Sequence, residues 1–168
     1  MNFSINLDQL KKNISKKENI FFFAIIGLIF SFDRISKLKI INNLSERVYF
    51  INDYINFDLI WNIGIGFGFL SSNSSIFYNS ITFLIGIVIV YLMGVFIVSK
   101  NSDKLIYSII IGGAIGNFYD RLIYKAVPDF IDLHYNNFHW FTFNVADIFI
   151  SIGIILFIIK TYFAKDLK

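Results

Sequence analysis

The sequence predicts an all-α integral membrane protein, with four transmembrane helices in a single domain over residues 1–168. Charged residues make up 16% of the chain, against about 25% in soluble domains, and hydrophobic residues make up 56%. Four stretches come close to the roughly 20 mostly apolar residues that a helix needs to cross a bilayer. Their apolar runs are continuous rather than alternating, which favours helices over the strands of a membrane barrel.

The four spans are predicted at residues 19–39, 79–99, 103–119 and 143–163. The first follows a lysine-rich tail, as in a signal peptide, but it ends in SFDRISK without the small residues of a cleavage site. We therefore interpret it as a retained helix. The connection between the first two spans contains VYFINDYINFDLIW, whose partial alternation predicts a small extracytoplasmic β-element. We interpret the segment between the third and fourth spans as a loop.

Missing residue types and motifs exclude several functions. The chain has no cysteine, which excludes disulfides, thiolate metal sites and cysteine nucleophiles. Its composition disfavours a soluble enzyme or a basic surface for nucleic acid. The H-E-x-x-H, G-x-S-x-G and G-x-x-x-x-G-K-[ST] motifs do not occur, and His134 and His139 lack a metal-binding spacing. We expect no metal ion, no cofactor and no nucleic-acid partner.

The charges are distributed unequally between the two sides of the membrane. Nine of the fifteen basic residues lie in the two terminal tails and in the connection after the second span. Lysine and arginine are enriched in cytoplasmic segments, so both termini are predicted to be cytoplasmic. Eight of the twelve acidic residues lie on the other side or at its membrane boundary. This outer acidity is the first indication of where the function resides.

Ionisable and amide side chains gather at the outer ends of the spans and in the loop between the last two. They are Asp33, Asn117, Asp120, Arg121, Asp129, Asp132, Asn144 and Asp147. Charged groups at membrane depth are costly, so each needs a partner or a function. Helix ends are one explanation, with Asn144 and Asp147 as caps and Asp120 and Arg121 as an interfacial ion pair. Capping does not explain four aspartates between residues 120 and 147.

Such carboxylates fit three classes of protein. Two neighbouring aspartates share a proton, so one can take a proton from water while the other donates to an amide carbonyl, as in an aspartic protease. A small transporter or proton relay using intramembrane carboxylates is the alternative, and a structural subunit is a third class. A relay needs carboxylates staged across the bilayer, whereas the second and fourth spans carry none in their middles. The residues alone favour the hydrolase and leave open which two aspartates meet.

Four sequence blocks occur in order along the chain. They are D-x-x-S-K at residues 33–37, N-x-G-x-[AG]-F at 62–67, GGAIGNFYDR at 112–121 with VPDFID at 127–132, and FNVAD at 143–147. Through these blocks the chain resembles the signal peptidase II (lipoprotein signal peptidase) family of bacterial membrane aspartic proteases over nearly its whole length. The resemblance implies a catalytic dyad of Asp129 and Asp147. It also implies a set of residues that bind substrate or support the site: Asp33, Lys37, Asn62, Gly64, Gly113, Asn117, Asp120, Arg121, Asn144 and Ala146.

Within this resemblance, Arg121 is the candidate for holding a substrate carbonyl or nearby carboxylates, because its planar guanidinium can bond two oxygens together. Two residues depart from the family pattern. Lys125 stands where the family usually has glycine, and Pro128 where it usually has an aliphatic residue. Both precede Asp129, so the loop carrying that residue is expected to follow a different path, although no chemical group is lost.

The resemblance also implies an activity, a location and partners. The activity is that of an endopeptidase that removes the signal peptide from diacylglyceryl-modified prolipoproteins by cutting before the lipidated cysteine. The location is the bacterial cytoplasmic (inner) membrane, with the active site near its outer face. The implied partners are the prolipoprotein, membrane lipids and the peptide inhibitor globomycin. We interpret FHWFTF at residues 138–143 as part of an interfacial aromatic belt.

Overall fold

The structure is a computed structural model that describes residues 17–43, 47–64, 75–136 and 138–163. The lysines of the two terminal tails, apart from Lys17 and Lys160, and the end of the block at 62–67 lie outside these residues. The described elements, in chain order, are α1 Lys17–Asn43, β1 Tyr49–Asn52, β2 Ile55–Asn62, α2 Ser75–Val98, α3 Asn101–Tyr124, β3 Val127–Tyr135, β4 Phe138–Phe143 and α4 Val145–Phe163. The prediction of a mostly helical chain with a small β-element is confirmed.

Each predicted span corresponds to one helix. In the part of the chain that the structure describes, three helices are long and apolar enough to cross a membrane: α1, α2 from Ile76 and α4. The fourth predicted span lies in α3, which carries Asp103 in its first turn and Asp120 and Arg121 in its last. α3 contacts all three of these helices and occupies the centre of the bundle. The charged residues near the end of α3 therefore face protein, and Asp120 and Arg121 are both buried.

Glycines on α3 allow its neighbours to approach closely. A Cβ atom added to Gly113 would lie 2.6 Å from the carbonyl oxygen of Ala146, at the start of α4. A Cβ atom added to Gly112 would lie 2.8 Å from the Cβ of Ile29 on α1. Small residues at helix interfaces permit such close backbone packing in membranes. The two glycines thus bring the middle of α1 and the start of α4 against α3.

The interpretation of residues 120–142, between the third and fourth predicted spans, as a loop is wrong: residues 120–124 are the end of α3, and most of the others form β3 and β4. The four strands make one antiparallel sheet in the order β1-β2-β3-β4, so the β-element between α1 and α2 is only half of it. The paired residues of β2 and β3 include Asn62 with Val127 and Ile60 with Asp129. This long-range pairing turns the segment into a strand and fixes the position of Asp129.

The two residues that depart from the family pattern are accommodated by this strand. Lys125 ends α3 in the left-handed region, with φ 56°, and so turns the chain from the helix into β3. Pro128 pairs with Trp61 of β2, whereas the pairing of β3 with β4 begins only at Ile131. Proline lacks an N–H group and is tolerated where a strand has a neighbour on one side only. In this chain the segment before Asp129 is therefore a tight turn followed directly by a strand.

Candidate active site

Asp147 lies in the first turn of α4, and Asn144 immediately precedes that helix. The Asp147 N–H group donates to Asn144 Oδ1 at 3.1 Å, and the Asn144 N–H group donates to Asp147 Oδ2 at 3.2 Å. This is the reciprocal arrangement of a capping box, with an aspartate at the third helical position. The two residues therefore cap α4, as the capping interpretation predicted. The cap holds the Asp147 carboxylate at the start of the helix.

The same Asn144 also holds Asp129. Its Nδ2 atom donates to Asp129 Oδ1 at 2.5 Å, and Asn62 Nδ2 donates to Asp129 Oδ2 at 2.8 Å. Asn62 Oδ1 accepts from the Gly64 N–H group at 2.8 Å, which sets the orientation of that amide. Asn144 thus contacts both aspartates, the Asp129 carboxylate through its side-chain amide and the Asp147 carboxylate through its backbone N–H group.

Asp129 has an electrostatic environment suited to sharing a proton. Its side chain is buried, with only 3% of the residue exposed. Burial and the nearby charge of Asp147 raise the pKa of Asp129 to about 7, while the hydrogen bonds from Asn62 and Asn144 oppose the rise. Near neutral pH Asp129 is therefore partly protonated. Two interacting carboxyl groups of this kind titrate as a pair.

A pH–rate profile should report this titration. The raised pKa means that the pair keeps its shared proton below about pH 7 and loses it above, so kcat/KM should fall about tenfold per pH unit on the alkaline side. The Asn62 hydrogen bond stabilises the ionised carboxylate, so Asn62→Ala should move this alkaline limb to higher pH. A limb that stays in place or moves to lower pH in Asn62→Ala would contradict the assignment.

Lys37 is the centre of a buried ion cluster beneath the two aspartates. Its ammonium group is fully buried and lies 2.8 Å from Asp33 Oδ2 and 2.7 Å from Asp120 Oδ2. It also donates to Asn117 Oδ1 at 2.8 Å. A buried cation with carboxylate partners on two different helices ties α1 to α3 at this level.

The cluster reaches the start of α4 by two routes. In the first route, Asn117 accepts from Lys37 and its Nδ2 atom donates to Asp147 Oδ1 at 2.8 Å. Asp33 Oδ1 accepts the Ala146 N–H group at 2.9 Å. Asn117 thereby orients one oxygen of Asp147, while Asp33 satisfies a backbone donor in the first turn of the helix. The aspartate that caps α4 is thus held by α1 and α3 as well.

Arg34 completes the charge balance of the cluster and was missed as a site residue. Its guanidinium pairs with Asp120 Oδ1 and lies over the Tyr119 ring, 4.9 Å from the centroid. Two carboxylates and two cations then give a neutral cluster. The available signal was its position, because Arg34 directly follows Asp33 in the D-x-x-S-K block.

Arg121 does not form the ion pair with Asp120 that was one interpretation of it. It is 4% exposed, and within the described residues its Nε and Nη1 atoms have no hydrogen-bond partner. Asp120 pairs with Lys37 and Arg34, not with Arg121. The Arg121 guanidinium faces the Tyr78 ring at 5.9 Å, and its charge reaches Asp147. Buried donors without partners are unusual, so these two donors of Arg121 are available for an oxygen outside the described residues.

Asp132, the other aspartate of the VPDFID block, lies apart from this cluster. Its Oδ2 atom is 2.7 Å from His139 Nδ1 and 3.7 Å from His134 Nδ1, and the two imidazole rings stack. These contacts lie between β3 and β4 and belong to the sheet. Among the residues that the resemblance adds to the dyad, Gly64, Gly113 and Ala146 contribute through their backbones.

Comparisons with known proteins show which sequences and structures this chain is similar to. The family described as signal peptidase (SPase) II matches residues 25–163. The lipoprotein signal peptidase of Pelagibacter ubique is 47% identical over 149 residues, which cover 86% of this chain and 89% of that protein. That of Thermodesulfovibrio yellowstonii is 41% identical over 136 residues, 80% and 90% of the two chains. A solved structure titled as a bacterial membrane enzyme, determined in meso at 2.3 Å, superposes with a TM-score of 0.74 and 28% identity, covering 88% of this chain and 90% of its own.

Proposed function

Because this chain belongs to the signal peptidase II family, we propose that it is an aspartic endopeptidase that removes the signal peptide from prolipoproteins. The bond cut is the one before the diacylglyceryl-modified cysteine. The observation that carries the proposal is that one residue, Asn144, holds both carboxylates: its side-chain amide donates to Asp129, and its backbone N–H group donates to Asp147. Family membership gives the activity, and this geometry provides residues that can perform it.

The dyad performs the hydrolysis with one proton between its two carboxyl groups. The ionised carboxylate takes a proton from a water molecule, whose oxygen attacks the scissile carbonyl carbon. The protonated carboxyl group donates its proton to the carbonyl oxygen, giving a tetrahedral intermediate. The carboxyl group that took the proton from water passes it to the leaving amide nitrogen as the C–N bond breaks, and the other carboxylate takes a proton from a hydroxyl group of the intermediate as the new carboxyl product forms. The dyad regains the protonation state in which it began.

Neighbouring residues support these steps. The donors of Arg121 that lack partners within the described residues are suited to bind a carbonyl oxygen of the substrate, where a positive charge stabilises developing negative charge. An apolar groove of about 610 Å³ runs between α1 and the sheet, lined by residues next to both aspartates, including Phe130 and Val145. We propose that this groove receives apolar parts of the substrate, and that globomycin binds at the dyad.

We further propose that the chain crosses the membrane four times as a single domain, residues 1–168. Three helices have the length and composition for this, and α3 lies among them with its polar residues turned inward. The excess of basic residues in the tails supports cytoplasmic termini in the bacterial inner membrane. The dyad and the sheet would then lie at the outer face, in contact with lipid at their edges.

A transporter or proton relay is not favoured. A relay needs titratable groups at successive depths in the membrane. The buried carboxylates of the described helices and strands instead lie near one end of the bundle. Asp33 and Asp120 are also neutralised by Lys37 and Arg34, so they are poorly placed to exchange protons. The carboxylates therefore lie together at one depth, as the site of a hydrolase requires.

The direct test uses the purified protein in neutral lipid nanodiscs and a synthetic prolipoprotein peptide. With a diacylglyceryl group on the cysteine, we expect mass spectrometry to show one cut, immediately before that cysteine. The same peptide without the lipid should be cut at least about tenfold more slowly, since it loses its apolar anchor. Globomycin should abolish the cut. Cleavage at other bonds, or none with a lipidated peptide, would refute the proposal.

A further inference from the structure

A second apolar groove lies between α2 and α3, on a different side of the bundle from the dyad. Its volume is about 590 Å³, and none of its lining residues belongs to the predicted site. The residues that define its ends and walls are Asn79, Gly86, Val90, Phe118, Leu122 and Lys125. Most residues of the whole lining are apolar, and the polar residues Asn79 and Lys125 mark one end of the groove.

The length of the groove matches one leaflet of a bilayer. From Asn79 to Val90 the wall formed by α2 spans eleven residue steps, or about 16 Å at 1.5 Å per residue. The hydrocarbon core of a bilayer is about 30 Å thick, so one leaflet is about half of that. In the proposed orientation Asn79 and Lys125 lie at the outer interface and Val90 lies near the midplane. A single acyl chain of the outer leaflet therefore fits along the groove.

Lys125 supplies a charge at the mouth of the groove. Its φ of 56° is in the left-handed region at the end of α3, a position that glycine occupies without steric cost. Its side chain is exposed, and none of the ion pairs in the described segments involves it. A lysine in a conformation that favours glycine thus places an ammonium group where lipid phosphates lie.

From this placement we infer that the groove binds an anionic phospholipid of the outer leaflet. One acyl chain lies against Gly86 and Phe118, and the phosphate contacts the Lys125 ammonium group, with the Asn79 amide beside it. The charge selects an anionic headgroup over a zwitterionic one, because the zwitterion carries its own cation. The diacylglyceryl group of the proposed substrate has no phosphate and is not the occupant. The inference goes beyond the proposed function and uses only the proposed orientation.

Native mass spectrometry of the detergent-solubilised protein tests the inference without any catalytic step. Phosphatidylglycerol and phosphatidylcholine with the same acyl chains are titrated separately, and the first bound lipid is quantified. We expect phosphatidylglycerol to bind the unmodified chain at least about fivefold more tightly, a ratio of the size expected for one charge near a lipid phosphate. Lys125→Gln should remove this preference, and Lys125→Arg should keep it.

Three further variants separate binding from folding. Lys125→Gly relieves the left-handed backbone and removes the charge, so it should lose the preference without losing thermal stability. Lys100→Gln, at the opposite end of α3, is the matched control and should bind as the unmodified chain does. Gly86→Ile should weaken the binding of both lipids, because a Cβ atom added at Gly86 would lie 3.2 Å from Phe118 and the larger side chain would fill the groove.

Three results would overturn the inference. They are equal affinities for the two lipids in the unmodified chain, a preference that survives in Lys125→Gly, and displacement of phosphatidylglycerol by the lipidated substrate peptide. The last result would show that the substrate occupies the groove instead. Failure of peptide cleavage would count against the proposed function alone, since lipid binding is measured independently of it.

Discussion

Replacing either aspartate of the dyad by asparagine should reduce kcat for the lipidated peptide by about 10³-fold or more, since positioned acid–base groups contribute about 10²–10⁴-fold each. Asparagine is close in size to aspartate and keeps one oxygen acceptor. In Asp147→Asn that oxygen can still accept a hydrogen bond from Asn117 or from the Asn144 N–H group. The loss should therefore come from the missing ionisable group and leave KM changed by less than about threefold.

Asp132→Asn is the matched control for this experiment. Asp132 lies in the same strand as Asp129 and is equally buried at 3% exposed, but it pairs with His139 outside the dyad. It should retain kcat within about threefold of the unmodified chain. Thermal unfolding in the same detergent checks that all three variants fold. Substantial residual cleavage by Asp129→Asn or Asp147→Asn, within about tenfold of the starting rate, would remove that residue from the dyad.

The parts of this architecture that could be predicted from sequence are those that depend on local patterns. The long apolar runs correspond to α1, α2 and α4, and capping chemistry correctly predicts Asn144 and Asp147 at the start of α4. Which aspartates form the dyad came from the resemblance of the sequence blocks. Spacing alone left that choice open, because Asp129 and Asp132 lie in one short segment.

The features that were missed depend on contacts between distant residues. β3 was interpreted as a loop, since its segment contains Pro128 and its apolar and polar residues do not alternate regularly. Its pairing partner, β2, lies more than 60 residues earlier in the chain, with Asn62 opposite Val127. Arg34 was missed because Asp120, its partner, is 86 residues away. Local sequence patterns do not carry this information.

Replacing Lys37 by methionine should have the largest effect on stability. The substitution keeps the length and most of the volume of the side chain but leaves Asp33 and Asp120 with Arg34 as their single cation in the described cluster. Removing one partner from a buried ion pair costs about 3–5 kcal/mol, because an uncompensated charge stays buried. Activity should fall as well, since Asn117 loses the ammonium group that orients it towards Asp147.

A double variant distinguishes the charge balance from the orientation of Asp147. Lys37→Met combined with Asp33→Asn restores a neutral cluster, so it should recover much of the lost stability in thermal or denaturant unfolding. It should not recover kcat, because neither substitution replaces the contact from Lys37 to Asn117. Lys39→Met, at an exposed lysine on the same helix, is the control and should change stability by less than about 0.5 kcal/mol.

The two readouts therefore have opposite expectations in the double variant. If its kcat rises together with its stability, Lys37 acts only by neutralising the buried carboxylates, and the route from Lys37 through Asn117 to Asp147 has no role in catalysis. If Lys37→Met alone is as stable as the unmodified chain, the cluster is not the junction that holds α1 against α3. Recovery of stability without recovery of turnover would place Lys37 as a positioning residue for Asp147.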